Sequence, residues 1–240
     1  MATGRAARRS DLYRRTLDLI ASATLLVLML PVLVMALVGS ALALRTSPIF
    51  TQDRVGRGGE LFRFIKVRTL PRNVPTYVDK HQLDHAAIPA FCRLLRRLHL
   101  DELPQLVLVL RGQMSLVGPR PEMEHLHRSL PADFAALRTA VRPGCTGLWQ
   151  VSHACTDLIG EAPEFDRVYL AERTLRFDLW VLARTALKMT GIGPTVTIDD
   201  IPAWVKGQDP TVRVISLTDC EASGDLAPAS NTSTMSAAAG

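Results

Sequence analysis

The sequence predicts a helix-rich α/β protein held at a membrane by its N-terminal region, and three observations carry that prediction. Residues 19–44 form an apolar stretch interrupted only by small or weakly polar residues and by Pro31. Residues 62–70, FRFIKVRTL, alternate apolar side chains with Arg63, Lys66 and Arg68 after the pair Gly58 and Gly59, the pattern of a short strand or hairpin. Residues 91–98 and 164–189 carry apolar side chains at helical spacing.

Composition narrows the partners. The chain has 240 residues and a formal net charge of +5, so one folded domain is the default and an anionic partner is favoured. Aromatic residues make up only 5%, and no nucleic-acid motif is present, which disfavours a base-stacking surface and leaves a lipid surface or a phosphorylated substrate. Cys92, Cys145, Cys155 and Cys220 show no CxxC spacing, which argues against a zinc site or a disulfide framework and is compatible with a reducing cytoplasm.

Taken in order, residues 1–15 are a basic arm in which Arg5, Arg8, Arg9, Arg14 and Arg15 outweigh Asp11. Residues 16–45 are long enough to enter a bilayer, since about 20 apolar residues span the hydrocarbon core. Pro31 removes a helical hydrogen bond in the middle of the run, so a kink or break is expected there. Arginines flank both ends (Arg14 and Arg15 before, Arg45, Arg54 and Arg57 after), and the positive-inside tendency would keep both on the cytoplasmic side. An ordinary kinked spanning helix remains the alternative. Residues 46–206 are assigned to a catalytic domain, with a loop over 71–90, where three prolines break any period. Phe91, Leu94, Leu95 and Leu98 then alternate with Arg93, Arg96 and Arg97 in a basic amphipathic helix suited to a membrane interface. One helix is expected over 164–189. Residues 207–240, rich in Ser, Ala and Thr, read as a disordered tail.

The chemistry is concentrated in residues 99–122, HLDELPQLVLVLRGQMSLVGPRPE. Asp101 and Glu102 are adjacent carboxylates in an arginine-rich setting, a pairing suited to phosphoryl transfer: one attacks phosphorus or holds a metal, the other orients it, and guanidinium groups neutralise phosphate oxygens. Spacing alone also fits a helix N-terminus, where acids complement the dipole. Pro119 and Pro121 bracket Arg120 and fix the backbone on either side of it. In 142–153, RPGCTGLWQVSH, Gly144 and Gly147 permit close backbone approach and Arg142 is a further anion candidate. Lys66 and Arg68 are either phosphate contacts or a solvated basic strand face.

At these motifs the chain resembles the bacterial sugar transferase group, the membrane-associated polyprenyl-phosphate phosphoglycosyl transferases. The resemblance runs from residue 11 to about 190. It rests on Gln52, Arg54, Val55, Gly56, Lys66, Arg68 and Thr69, then on Leu100-Asp-Glu-Leu-Pro-Gln105, Gly112, Ser115 and Leu116-Val-Gly-Pro-Arg-Pro-Glu122, and on the RPGxTG block through Gln150. Asp166, Tyr169 and Asp178 match late elements, and either carboxylate reads equally well as a structural partner of an arginine. Departures are Leu70 for a usual Met, Leu30 before Pro31 for Ser, Cys92 and His153 for Gly, and His99 for Ser or Thr.

The resemblance implies a re-entrant membrane helix broken at Pro31 and a compact cytoplasmic α/β domain with interfacial amphipathic helices on the bacterial inner membrane. It implies a two-step transfer of sugar 1-phosphate from a UDP-sugar to undecaprenyl phosphate at the start of exopolysaccharide, capsule or O-antigen assembly. Asp101 would be the nucleophile and Glu102 its metal-binding or acid-base partner. Asp101 and Glu102 would hold Mg²⁺, and Lys66, Arg68, Pro119, Arg120, Pro121, Arg142 and Gln150 would form the substrate-binding set. Nucleic acid is not an expected partner, and a homodimer is left open. From the residues alone, a non-catalytic lipid-binding scaffold explains the basic arm and basic helix equally well, and a hydrolase of diphosphate-linked lipids is a weaker third reading.

Overall fold

The computed structural model describes residues 2–72, 74, 88–191, 193 and 195–205. Most of the expected loop over 71–90 and all of the expected tail lie outside these residues.

Two helices open the chain, α1 (Ala2–Leu28) and α2 (Leu30–Leu44), bent by 62° at the break between them. Pro31 sits in the first turn of α2. The missing proline N–H leaves no donor for the turn before it, while Met29 still donates to Leu25 O and Leu33 to Met29 O, so the chain bends without unwinding. Among the described residues no single helix is long and apolar enough to cross a membrane; the bent pair together meets that length and composition. Its outer surface is apolar, with Ile20, Val27, Met35 and Leu42 each more than half exposed.

β1 (Ile49–Val55) and β2 (Leu61–Val67) form the antiparallel hairpin expected around the glycines. Gly58 and Gly59 have φ of +73° and +82°, a region open to glycine at little cost, and they close the turn. Alternation then buries Phe62 and Phe64 on one face, while Val67, on the other, packs with Ala36 and Leu95. α3 (Ala90–Arg97) packs against α2, burying Cys92 and Leu95 while Phe91, Leu94 and Leu98 remain exposed.

α4 (Gln105–Leu110) runs along α1, where Arg15 donates to Val109 O at 2.7 Å and to Leu110 O at 3.1 Å, a cation completing the helix C-terminus. β3 (Ser115–Val117) pairs in parallel with β4 (Gly144–Thr146), Ser115 opposite Gly144 and Val117 opposite Thr146. Between them lie α5 (Glu124–Arg128) and α6 (Ala132–Thr139). The core closes with α7 (Leu148–Val151), α8 (Pro163–Ala171) and α9 (Leu175–Met189), whose Phe165, Tyr169, Phe177 and Val181 pack with Phe134 and Leu148. The single helix expected over 164–189 is two. Thr174 accepts from Phe177 N–H at 3.2 Å and starts α9 afresh, a cap that outweighs the continuous apolar period. The domain is therefore helix-rich α/β with two small two-stranded sheets.

Candidate active site

Asp101 and Glu102 lie on one tight 3-10 turn, Leu100–Glu102, immediately after α3. His99 precedes it with φ +54°, a left-handed backbone uncommon outside glycine, and that reversal swings the chain out of α3 and into the carboxylate pair. The turn is wedged against β2, α2 and α3. Asp101 is only 6% exposed, yet its carboxylate makes no hydrogen bond or ion pair with the described residues. Burial pushes its carboxyl above the usual range and Glu102 adds to this, while Lys66, Arg96 and His99 pull it back.

Lys66 reaches the same place from β2. It faces Phe50 across the hairpin, with its ammonium 5.1 Å from the ring centroid. Burial lowers the Lys66 ammonium to about 8; Asp101 and Glu102 oppose this, and Arg120 and Arg96 reinforce it. One half-buried lysine thus shares its electrostatic surroundings with both carboxylates and with the turn arginine.

The proline-bracketed turn is held through its backbone. Pro119 O accepts from Gly144 N at 2.9 Å, Arg120 O from Arg138 Nη2 at 2.6 Å, Pro121 O from Arg54 Nη1 at 3.1 Å, and Glu122 O from Val55 N at 2.9 Å. Four consecutive carbonyls are therefore satisfied by β1, α6 and the start of β4. Glycines make this approach possible: a Cβ on Gly144 would collide with Gly118 N, and one on Gly147 with Gly118 O. The Arg120 guanidinium itself makes no hydrogen bond or ion pair with the described residues, so its donors are available.

Of the residues singled out from sequence, Lys66, Asp101, Glu102 and Arg120, with Pro119 and Pro121 on either side, come together. Arg68 donates instead to Ser47 O at 3.0 Å and Ile49 O at 3.4 Å. Arg142 lies in the field of Arg15, Arg57 and Asp18. Gln150 turns back to donate to Cys145 O at 3.0 Å, bracing the glycine loop. Pro31 belongs to the helix bend.

Residues outside the expected substrate-binding set complete the arrangement, among them Asp166, which the sequence offered as a motif match or as a structural partner of an arginine. Arg138, 5% exposed, pairs with Asp166, 2% exposed, at 2.8 Å while gripping Arg120 O. Arg54 was read only as part of a motif. Gln105, also buried, has an amide nitrogen with no hydrogen-bond partner among the described residues. Arg138 precedes Arg142 by four residues, but nothing local distinguishes it from a surface arginine; only its distant partner does.

Comparison with known proteins covers most of the chain. The family model described as bacterial sugar transferase matches residues 9–191. The UDP-glucose:undecaprenyl-phosphate glucose-1-phosphate transferase of Caulobacter vibrioides is 36% identical over 185 residues, 73% of this chain and 68% of that one. The UDP-N-acetylgalactosamine-undecaprenyl-phosphate N-acetylgalactosaminephosphotransferase of Aeromonas hydrophila is 32% identical over 75% of this chain and 44% of its own length. The exopolysaccharide production protein ExoY of Rhizobium meliloti is 32% identical over 76% and 88%. The chain thus spans about two thirds of the first relative and less than half of the second.

Proposed function

Because the chain belongs to the bacterial sugar transferase family, we propose that it moves a sugar 1-phosphate from a UDP-linked sugar to undecaprenyl phosphate and releases uridine monophosphate. The observation that carries this reading is Asp101: a nearly buried carboxylate with no ion-pair or hydrogen-bond partner among the described residues, in the field of Lys66, which also feels the arginine of the proline-bracketed turn. A carboxylate kept for structure would be paired; one kept for attack must have its lone pairs free.

In the first step a carboxylate oxygen of Asp101 bonds to the sugar-bearing phosphorus. The anhydride bond breaks, and uridine monophosphate leaves with the electron pair. In the second, an oxygen of the lipid phosphate attacks the same phosphorus, forming the lipid diphosphate sugar and returning Asp101 as a carboxylate. Arg120 and Lys66 grip the diphosphate and stabilise charge that builds on its oxygens. Glu102 supports metal binding or proton transfer. Among the described residues there is no cluster of three metal-type side chains, and two adjacent carboxylates plus substrate phosphates are a donor set that suits Mg²⁺. Asp101 and Glu102 would hold that ion, which when bound offsets charge on the diphosphate.

The same reading has α1 and α2 dip into the cytoplasmic leaflet of the inner membrane and return. The 62° bend, the exposed apolar flank and the arginines at both ends support it. A lipid-borne phosphate could then reach Asp101 without leaving the bilayer surface. The test is to incubate membranes bearing the protein with polyprenyl phosphate and a panel of UDP-sugars while following uridine monophosphate. Release that depends on one sugar and on the lipid supports transfer. Membrane binding without any release favours the scaffold reading instead.

A further inference from the structure

We infer that Arg138, clamped by Asp166, is a positioning residue that aims Arg120 at the donor diphosphate through the Arg120 backbone. The inference rests on the proposed transfer and adds residues from α6 and α8 to its machinery.

A turn of sequence Pro-Arg-Pro is unusual in how it can be anchored. Pro119 and Pro121 have no N–H, so the segment offers a single central backbone donor and must be held from outside through its carbonyls. Arg138 supplies the hold on the central residue. Its Nη2 donates to Arg120 O at 2.6 Å, while its Nε is 2.8 Å from Asp166 Oδ2. The guanidinium lies 5.8 Å from the centroid of the buried Phe134 ring, which limits its plane as well as its position.

A buried ion pair is weak evidence for stability, because desolvation offsets its attraction. What this one does geometrically is specific. Among the described residues, its one charge-assisted bond beyond the pair reaches the peptide that carries the Arg120 side chain. Arg54 grips the next carbonyl, Pro121 O, from the opposite element β1. Rotation of the Arg120 peptide would break Arg138's bond, so the direction in which the Arg120 side chain departs is fixed before substrate arrives. Lysine cannot reproduce this, since a single ammonium lacks the planar fork that serves Asp166 and the carbonyl together.

The experiment is a double-mutant cycle in the full-length protein in membranes, with Arg138→Lys, Arg120→Ala and the pair, read as donor kcat/KM, lipid-phosphate kcat/KM and melting temperature in detergent. In a two-step mechanism with release of the first product before the second attack, donor efficiency reports only the first step. Arg138→Lys should lower donor efficiency about tenfold, the scale of one charge-assisted bond, and leave lipid-phosphate efficiency within about twofold. In the Arg120→Ala background the same substitution should cost little, because the side chain it aims is gone. Asp166→Asn, which leaves Arg138 in place but frees it to swing, should give the same pattern if Arg138→Lys does not fold. Equal losses with and without Arg120, or parallel losses for donor and lipid, would make Arg138 and Asp166 purely structural and overturn the inference alone. A wild-type protein that releases no uridine monophosphate with any sugar would overturn the transfer reading and this inference with it.

Discussion

Asp18, on the N-terminal helix pair, accepts a hydrogen bond from the backbone N–H of Leu116 at 2.9 Å, and the two residues are 98 positions apart. The other carboxylate oxygen takes the Ser115 hydroxyl at 2.8 Å. Three residues beyond Leu116 the proline-bracketed turn begins. Arg14 adds a second link, 2.9 Å from Asp178, whose other oxygen accepts from the Tyr169 hydroxyl. The Tyr169 hydroxyl is also 3.2 Å from Val117 O. The helix that would enter the bilayer is thereby bolted to the strand that presents Arg120. Removing the Asp18 carboxylate leaves two buried donors unpaired, each costing about 1–3 kcal/mol. Asp18→Ala should therefore lower the melting temperature in detergent by several degrees, and Asp18→Asn, which keeps one acceptor, by less. Unchanged melting in Asp18→Ala would mean the bolt carries no stability.

Asp101→Asn should eliminate turnover while leaving the protein in the membrane fraction, since an amide of nearly the same shape is a very poor nucleophile toward phosphorus. With wild-type protein and donor but no lipid acceptor, mass spectrometry should find a phospho-sugar on Asp101. Near-normal activity in the Asn variant would remove the covalent step.

The pH profile should have two limbs set by burial. Asp101 must be ionised to attack, and its carboxyl is raised, so donor kcat/KM should fall on the acid side at a higher pH than an ordinary aspartate would give. Lys66 must be charged to hold phosphate and is lowered to about 8, so the alkaline limb should begin there. The groups around Lys66 are Asp101 and Glu102, which favour its charged form, and Arg120 and Arg96, which disfavour it. Lys66→Arg should abolish the alkaline limb, because a guanidinium keeps its charge. Stability runs the other way: the unfolded chain holds the Lys66 proton up to its ordinary 10.5, so between about 8 and 10.5 this group makes the fold more stable as pH rises. An alkaline limb unchanged in Lys66→Arg would assign it to another group.

The parts of the fold legible in the sequence are those fixed by neighbours along the chain. Glycines at 58 and 59 and the alternation that follows specify the hairpin, and Pro31 specifies the bend. The carboxylate pair and the Pro119-Arg120-Pro121 turn are likewise local. The break at Thr174 was missed because a capping hydroxyl competes with an apolar period that runs on across it. Asp166 was legible as a carboxylate that could pair with an arginine, but not that the arginine is Arg138, and the link of Asp18 to Leu116 was not legible at all, because nothing in a single sequence couples residues 28 or 98 positions apart. Arg68 shows the converse limit. It follows Lys66 by two residues, just past the end of β2, yet its guanidinium is taken up by the carbonyls of Ser47 and Ile49.

Both ends of the helix pair should face the cytoplasm if the bend makes it re-entrant. Ala6→Cys and Glu60→Cys, each in a background without Cys92, Cys145, Cys155 and Cys220, should both resist an impermeant thiol reagent in intact cells. Pro31→Ala returns a backbone donor to the middle of the run and should shift part of the population toward a straight, spanning helix. Labelling of the residue-6 site alone in the Pro31 protein would establish a spanning helix and end the re-entrant reading.

Arg120 should act on the donor's phosphates and not on folding. The turn's backbone is held at every carbonyl from Pro119 to Glu122, while the Arg120 guanidinium makes no hydrogen bond or ion pair with the described residues, so truncating the side chain removes no polar link among them. A charge-assisted contact to phosphate is worth ~1.5–3 kcal/mol, or about ten- to hundredfold in donor kcat/KM. Arg120→Ala should lose that factor with an unchanged melting temperature. Arg120→Lys should recover only part of it, because it keeps the charge but not the fork that spans two oxygens. The lipid-phosphate efficiency separates the two steps: if Arg120 grips the diphosphate, the donor step should bear most of the loss. Should both variants melt early while the folded fraction keeps full donor efficiency, the guanidinium serves the fold and the turn's rigidity has some other purpose.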